Sequence, residues 1–286
     1  MNTIPTICAI CVTGCVLVGA DAGHARADES LAESRSTQPA AVAETVRIRV
    51  PGTTVSFEVV RCPPGEDTDG NPIPELWTLT TEVPWELYDI YVYALDAGED
   101  EGADAIARPS KPYVPPDRGF GHEGYPAISM TRGAAEGFCE WLSTKTGVPF
   151  RLPSAPEWSH LASAGGAAFD PDESDEVDAV AWTKANAEFT THPVSQKQPN
   201  GFGLFDVYGN VGEWVMTDTR RPIAMGGSFR DPPEACHATA SQQQARNWNA
   251  SDPQIPKSRW WLADCSWVGF RFVTEQDPTE VSDGDE

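Results

Sequence analysis

The stretch QPNGFGLFDVYGNVGEWVMTD, residues 198–218, sets two carboxylates, Asp206 and Glu213, in a run whose glycines interrupt every apolar period before it repeats. Such a segment is an ordered loop rather than a helix or strand. The other groups with chemical potential are thiols and imidazoles. Once an N-terminal leader is set aside, Cys62, Cys139, Cys236 and Cys265 are left, an even number that suits an oxidising compartment and leaves three disulfide connectivities open. Cys236 and His237 are sequence neighbours, so in extended chain their side chains point apart, which argues against a nucleophile–base pair. His122, His160 and His192 have no metal-ligand spacing, and the glycine patterns of phosphate-binding and dinucleotide-binding loops are absent.

The elements that must hold these residues are short. VRIRVPGTTVSFEVVRC (46–62) reads as β-rich runs. Pro84 opens PWELYDIYVYAL, with Trp85, Tyr88 and Val92 on one helix face. Thr131 caps RGAAEGFCEWLSTK, whose Ala134, Ala135, Phe138, Trp141 and Leu142 form a stripe that Gly147 ends. Ser154 and Glu157 make a capping box before Trp158 and Leu161. Beyond Gly166 the acidic run DPDESDEVDA reads as a solvated loop. The remainder reads as loops with short strands such as IAMGGSF (223–229) and WVGFRFV (267–273).

Composition limits the partners. Among 286 residues, 20 basic and 43 acidic side chains give a net charge of −23, which repels a phosphate backbone and argues against nucleic acid. The 24 glycines and 25 prolines fit a chain rich in ordered loop. The apolar run from Ile7 to Ala20 is too short to span a membrane, and ARA (25–27) is a small-x-small cleavage site. The reading is an export signal over 1–27, hence a periplasmic or extracellular protein, followed by a polar linker over 28–45. The rival is a lipoprotein box, VTGC, with Cys15 lipidated. An acidic disordered tail is expected over 275–286. The ten tryptophans, RWW (259–261) among them, suit core or groove lining, or a glycan- or peptide-binding face.

AISMTRGAAEGFCEWLSTKTGVPFRLPSAPEWSHLA, PNGFGLFDVYGNVGEW, MGGSF and VGFRF follow one another in an order that resembles the formylglycine-generating enzyme, or sulfatase-modifying-factor, family. The similarity runs over residues 46–274. It implies one irregular α+β domain of C-type-lectin-like fold, with short strands, few helices and much ordered loop. It also implies a structural calcium ion held by the Asp206 and Glu213 side chains and the Gly209 and Val211 carbonyls, oxygen donors that suit a hard cation. The family's other calcium loop, which would begin near Asn186 and Ala187, lacks its second half here.

Enzymes of that family convert a cysteine in a Cys-x-Pro-x-Arg setting of sulfatases to formylglycine with O₂ and copper, held by two thiolates five residues apart. Here Cys236 matches the second and Asp231 stands at the first. Gly212 replaces the family's active-site tryptophan and Trp267 its asparagine; Ser228 is kept. Cys236 and Ser228 are thus the remnant of the catalytic set, and copper is not expected. The resemblance also sets the Gly-Gly-Ser and Gly-Phe-Arg segments on neighbouring strands, from which a Cys236–Cys265 disulfide is expected. The functional expectation is an exported, non-oxidase scaffold for a protein or glycan ligand. The alternative is a formylglycine-generating oxidase acting on a sulfatase peptide.

Overall fold

Alternating residues in 45–62 form a hairpin, β1 (Thr45–Arg49) against β2 (Ser56–Cys62), in a computed structural model of the chain. The structure describes residues 44–97, 106–112, 114–165, 174–217 and 221–280, all within the unit Ala40–Glu286. The signal sequence, the Cys15 motif and most of the proposed linker lie outside the described residues. A two-stranded ribbon follows, β3 (Gly65–Glu66) with β4 (Pro72–Ile73). β5 (Leu76–Leu79) then pairs with β2, and with β10 (Val273–Thr274) at its far edge the first sheet reads β1-β2-β5-β10, antiparallel throughout.

The helices start and stop where local chemistry says they should. α1 (Trp85–Tyr93) follows Pro84 and ends on Ala94 in the left-handed region. α2 (Arg132–Thr146) begins with the Thr131 side chain accepting from the Ala134 N–H and ends at Gly147, φ 74°, the conformation glycine adopts at least cost. α3 (Ala155–Ala162) carries the full Ser154–Glu157 capping box. Arg151 holds the Glu157 carboxylate at 2.7 and 2.8 Å and also reaches Glu275 at 2.6 Å. That contact anchors the start of the expected tail; residues 281–286 are outside the described set. The acidic run is not all loop. Ser174–Val180 forms a short helix, α4, because Val177 is fully buried.

The second sheet has four strands. β6 (Gly212–Val215) runs antiparallel to β7 (Ile223–Met225) and parallel to β9 (Val268–Gly269), and β8 (Ser241–Gln243) pairs with β7 at the exposed edge. The expected strand 223–229 stops at Met225 because Gly226 and Gly227 adopt φ 92° and 74°. WVGFRFV divides between the sheets: Val268–Gly269 is β9, and Val273–Thr274 is β10 of the first sheet. Phe270, Arg271 and Phe272 make the crossing, all fully buried. Phe138 of α2 meets Phe270 edge-on at 5.4 Å and tilts against Trp141 at 5.5 Å. Burial of each such ring stabilises the fold by roughly 1.5–3 kcal/mol. The outcome is the mixed α+β, loop-rich single domain that the motifs imply.

Candidate functional site

The loop of Asp206 and Glu213 closes on a buried charge cluster. Asp206 (φ 57°) and Asn210 (φ 43°) are left-handed, as is Gly209; a Cβ on Gly209 would collide with the Trp182 carbonyl. The resulting turn carries Glu213 into β6. There its two oxygens accept from Arg271 at 2.7–2.9 Å, and Oε2 also accepts from Trp158 Nε1 at 2.7 Å. Arg271 further donates to the Leu79 and Phe205 carbonyls. Glu82, which no sequence pattern singled out, enters from the far side. Its Oε1 accepts from Val211 N–H and its Oε2 from Asn210 Nδ2.

Three carboxylates thus share one guanidinium. Burial, with Asp206 and Glu213 close by, pushes Glu82 well above the ordinary carboxylate range. Burial likewise raises Asp206 to about 6, against the hydrogen bond its Oδ2 accepts from Ser195 N–H. Asp206 Oδ1 is buried without a partner. These contacts are not those of the calcium set the motif implies. Glu213 is fully engaged by Arg271 and Trp158, so an ion at this loop has only Asp206 Oδ1 as a free carboxylate oxygen. The donor set, as arranged, does not fit Ca²⁺, which takes six to eight oxygens; the guanidinium supplies the positive charge. At the position of the family's other calcium loop, Asn186 is turned inward to cap Thr183 N–H and to donate to Asp178 and the Ala181 carbonyl.

The remnant catalytic residues do converge. Gly212, Ser228, Asp231, His237, Gln242 and Trp267 line one open cleft of about 410 Å³. Ser228 Oγ donates to Asp231 Oδ2 at 2.7 Å. Cys236 lies behind Gly227, where a Cβ would meet its Sγ at 2.7 Å, and the thiol points to the Ser228 carbonyl at 3.8 Å. Burial, and then Asp231, pushes this thiol up to about 12. Trp267 forms one wall, with the Arg230 guanidinium 3.9 Å over its ring and its Nε1 donating to Gln242 at 3.0 Å. Cu(I) asks for soft thiolate ligands. The cleft offers a hard carboxylate already holding Ser228 and one protonated, buried thiol. That donor set does not fit Cu(I), and among the described residues no cluster of three His, Cys, Asp or Glu side chains is arranged for a metal.

The expected Cys236–Cys265 disulfide is corrected: Cys62, Cys139, Cys236 and Cys265 are buried free thiols. β6 lies between β7 and β9, so the Gly-Gly-Ser and Gly-Phe-Arg segments are not neighbours. Cys236 accordingly packs in the core cluster with Trp158 and Leu204, and Cys265 in the other, with Phe138 and Phe270.

An antiparallel sheet and a mixed sheet bridged by a buried arginine, with four helices among the described residues and long ordered loops, define an irregular domain of the formylglycine-generating-enzyme type. The chain belongs to the sulfatase-modifying factor enzyme 1-like domain family, which it matches over residues 36–275. Solved structures share the fold. Treponema denticola variable protein 1 superposes with a TM-score of 0.55 at 20% identity, covering 81% of this chain and 99% of that one. PvdO from Pseudomonas aeruginosa does so with 0.55 at 22%, covering 80% and 100%. By sequence, 94 residues are 34% identical to serine/threonine-protein kinase pkn1 of Chlamydia pneumoniae, 33% of this chain but 14% of the kinase. Among the described residues no helix is long and apolar enough to cross a membrane.

Proposed function

We propose that this protein is an exported binding domain of the sulfatase-modifying factor family that does not carry out copper-dependent cysteine oxidation. The observation that carries the reading is the Ser228–Asp231 hydrogen bond at the position of the missing thiol. Asp231 is held as a structural acceptor, and Cys236 is too buried and too weakly acidic to supply a thiolate. The cleft keeps features of a recognition site: an indole wall, a carboxylate, an imidazole and an amide around an open floor. These groups suit the hydroxyls of a glycan or the amides of a protein segment, with the aromatic face for packing. The leader sequence supports export. That a family segment also resembles part of a protein named as a kinase suits a domain carried into different settings, since a fold does not fix its chemistry.

Competition against a chromophoric Cu(I) chelator tests the metal half of this reading. The intact protein should leave copper with the chelator. Stoichiometric Cu(I) transfer to the protein, lost on Cys236→Ser, contradicts it. For the binding half, Trp267→Ala should abolish retention on whichever glycan or protein a binding panel identifies; unchanged retention places the ligand elsewhere.

A further inference from the structure

Apart from the Ser228–Asp231 cleft, a second hollow of about 170 Å³ is walled by Pro112, Val114, Pro116, Pro253 and Trp261, with Arg118 in its lining. Arg118, half-buried, differs from the other buried and half-buried arginines. Arg108, Arg151 and Arg271 each hold a carboxylate. Arg118 donates Nε to Ser129 Oγ at 3.2 Å and Nη2 to the Leu262 carbonyl at 2.9 Å. Its Nη1 has no partner among the described residues. In a chain with 43 acidic side chains, a half-buried guanidinium that holds no carboxylate while one arm stays open to the hollow stands apart. The nearby acids are committed. Asp117 accepts from Gly119 N–H and pairs with His122, Asp252 accepts from Gln254 and Ser258 N–H, and Asp264 accepts from Ser251.

The guanidinium is also held rigidly. Arg118 and Ser129 both sit in the left-handed region, φ 59° and 68°, a conformation that non-glycine residues keep only where the surroundings enforce it. Ser129 Oγ donates to the Pro116 carbonyl while accepting from Arg118, and the Ser129 carbonyl accepts from Leu262 N–H at 2.7 Å. Trp261 is fixed as a wall by its Nε1 bond to the Ser110 carbonyl at 2.7 Å.

We propose that this hollow binds a small monocarboxylate carrying one flat apolar ring, its carboxylate on Arg118 and its ring between Trp261 and the prolines. Size sets the body, since a dry cavity of roughly 150 Å³ holds benzene, so this one takes a single ring with a short acid arm. Charge sets the head. One open guanidinium arm matches a single negative charge, and Asp117, Asp252 and Asp264 around it repel a phosphate dianion about twice as strongly as a monocarboxylate.

Calorimetric titration of the intact protein with benzoate, phenylacetate and 3-phenylpropionate tests the assignment, with benzamide and inorganic phosphate as controls. At least one acid should bind one-to-one with Kd below about 1 mM, and neither control should bind. Arg118→Gln should weaken the best acid by about tenfold or more. Ala263→Phe, which fills the hollow and leaves the guanidinium intact, should abolish binding if Arg118→Gln fails to fold. Absence of saturable binding by all three acids overturns the proposal. So does equal affinity for benzamide, or undiminished binding by either folded variant.

Discussion

Arg271 and Glu213, both essentially without solvent exposure, meet through three hydrogen bonds of 2.7–2.9 Å. Each comes from a different strand region: Glu213 from β6, and Arg271 from the crossing that leads from β9 to β10. The pair therefore bolts the two sheets together directly behind the glycine-broken loop. Removing one partner of such a pair strands the other charge in the core, which costs about 3–5 kcal/mol. Glu213→Ala and Arg271→Met should each lower urea-unfolding stability by that order. The double variant should be less destabilised than the sum of the two. Additive losses would show that the pair is not coupled.

Asp206 makes the protein's stability fall as pH rises through a defined window. Its carboxyl is raised to about 6 from an ordinary 3.8. Between those values the folded chain keeps a proton that the unfolded chain releases, so the folded state gains from acid. Stability should decline from about pH 4 to about pH 6 and level off above it. Asp206→Asn, which keeps an acceptor for Ser195 N–H and tolerates the left-handed backbone, should reduce that slope and raise stability at pH 7 by up to about 3 kcal/mol. Glu82 is shifted in the same direction and keeps part of the slope. Identical pH profiles for the variant and the parent would refute the assignment.

With Arg271 as the counter-charge, divalent metal should contribute nothing to stability. Thermal melts with a calcium chelator and with excess Ca²⁺ should coincide. A bound structural ion would instead stabilise the fold by about 2.7 kcal/mol at a hundredfold excess over its dissociation constant. A calcium-dependent rise that disappears in Glu213→Ala would restore the ion.

The thiols should be silent in the native state. Cys62, Cys236 and Cys265 are pushed to about 12 by burial, and Cys139 higher still, so the thiolate fraction at neutral pH is negligible. Alkylation before unfolding should leave these four unlabelled, and non-reducing peptide maps should lack a Cys236–Cys265 link. Recovery of that linked peptide would contradict the strand order.

Elements governed by neighbours in sequence were legible. Thr131, Gly147, Ser154 and Glu157 announce helix ends because caps act within one turn, and the motifs that carry the family resemblance led to the fold. Long-range pairings were not. Arg271 reaches Glu213 across 58 residues and Glu82 reaches Asn210 across 128, and no local pattern records which buried acid meets which base. Glu82 lies in TTEVP, where nothing marks a charge bound for the core. Arg271 had one available signal, its place between two phenylalanines in FRF, where an inward-facing charge needs a buried partner. The short helix at Ser174–Val180 was hidden by its acidic composition, although Val177 and Ala181 stand one turn apart and both are buried.

Incubating the protein with a Cys-x-Pro-x-Arg peptide, Cu(I) and oxygen asks whether the cleft of Ser228 and Asp231, with Cys236 buried behind it, recognises rather than oxidises. Mass spectrometry reads formylglycine as the loss of sulfur and gain of oxygen on the peptide. The peptide should be recovered unchanged, with little gain from Asp231→Cys alone, because Cys236 stays buried behind Gly227 and Trp267 still walls the cleft. Robust conversion by the unmutated protein, abolished by Cys236→Ser, would contradict it.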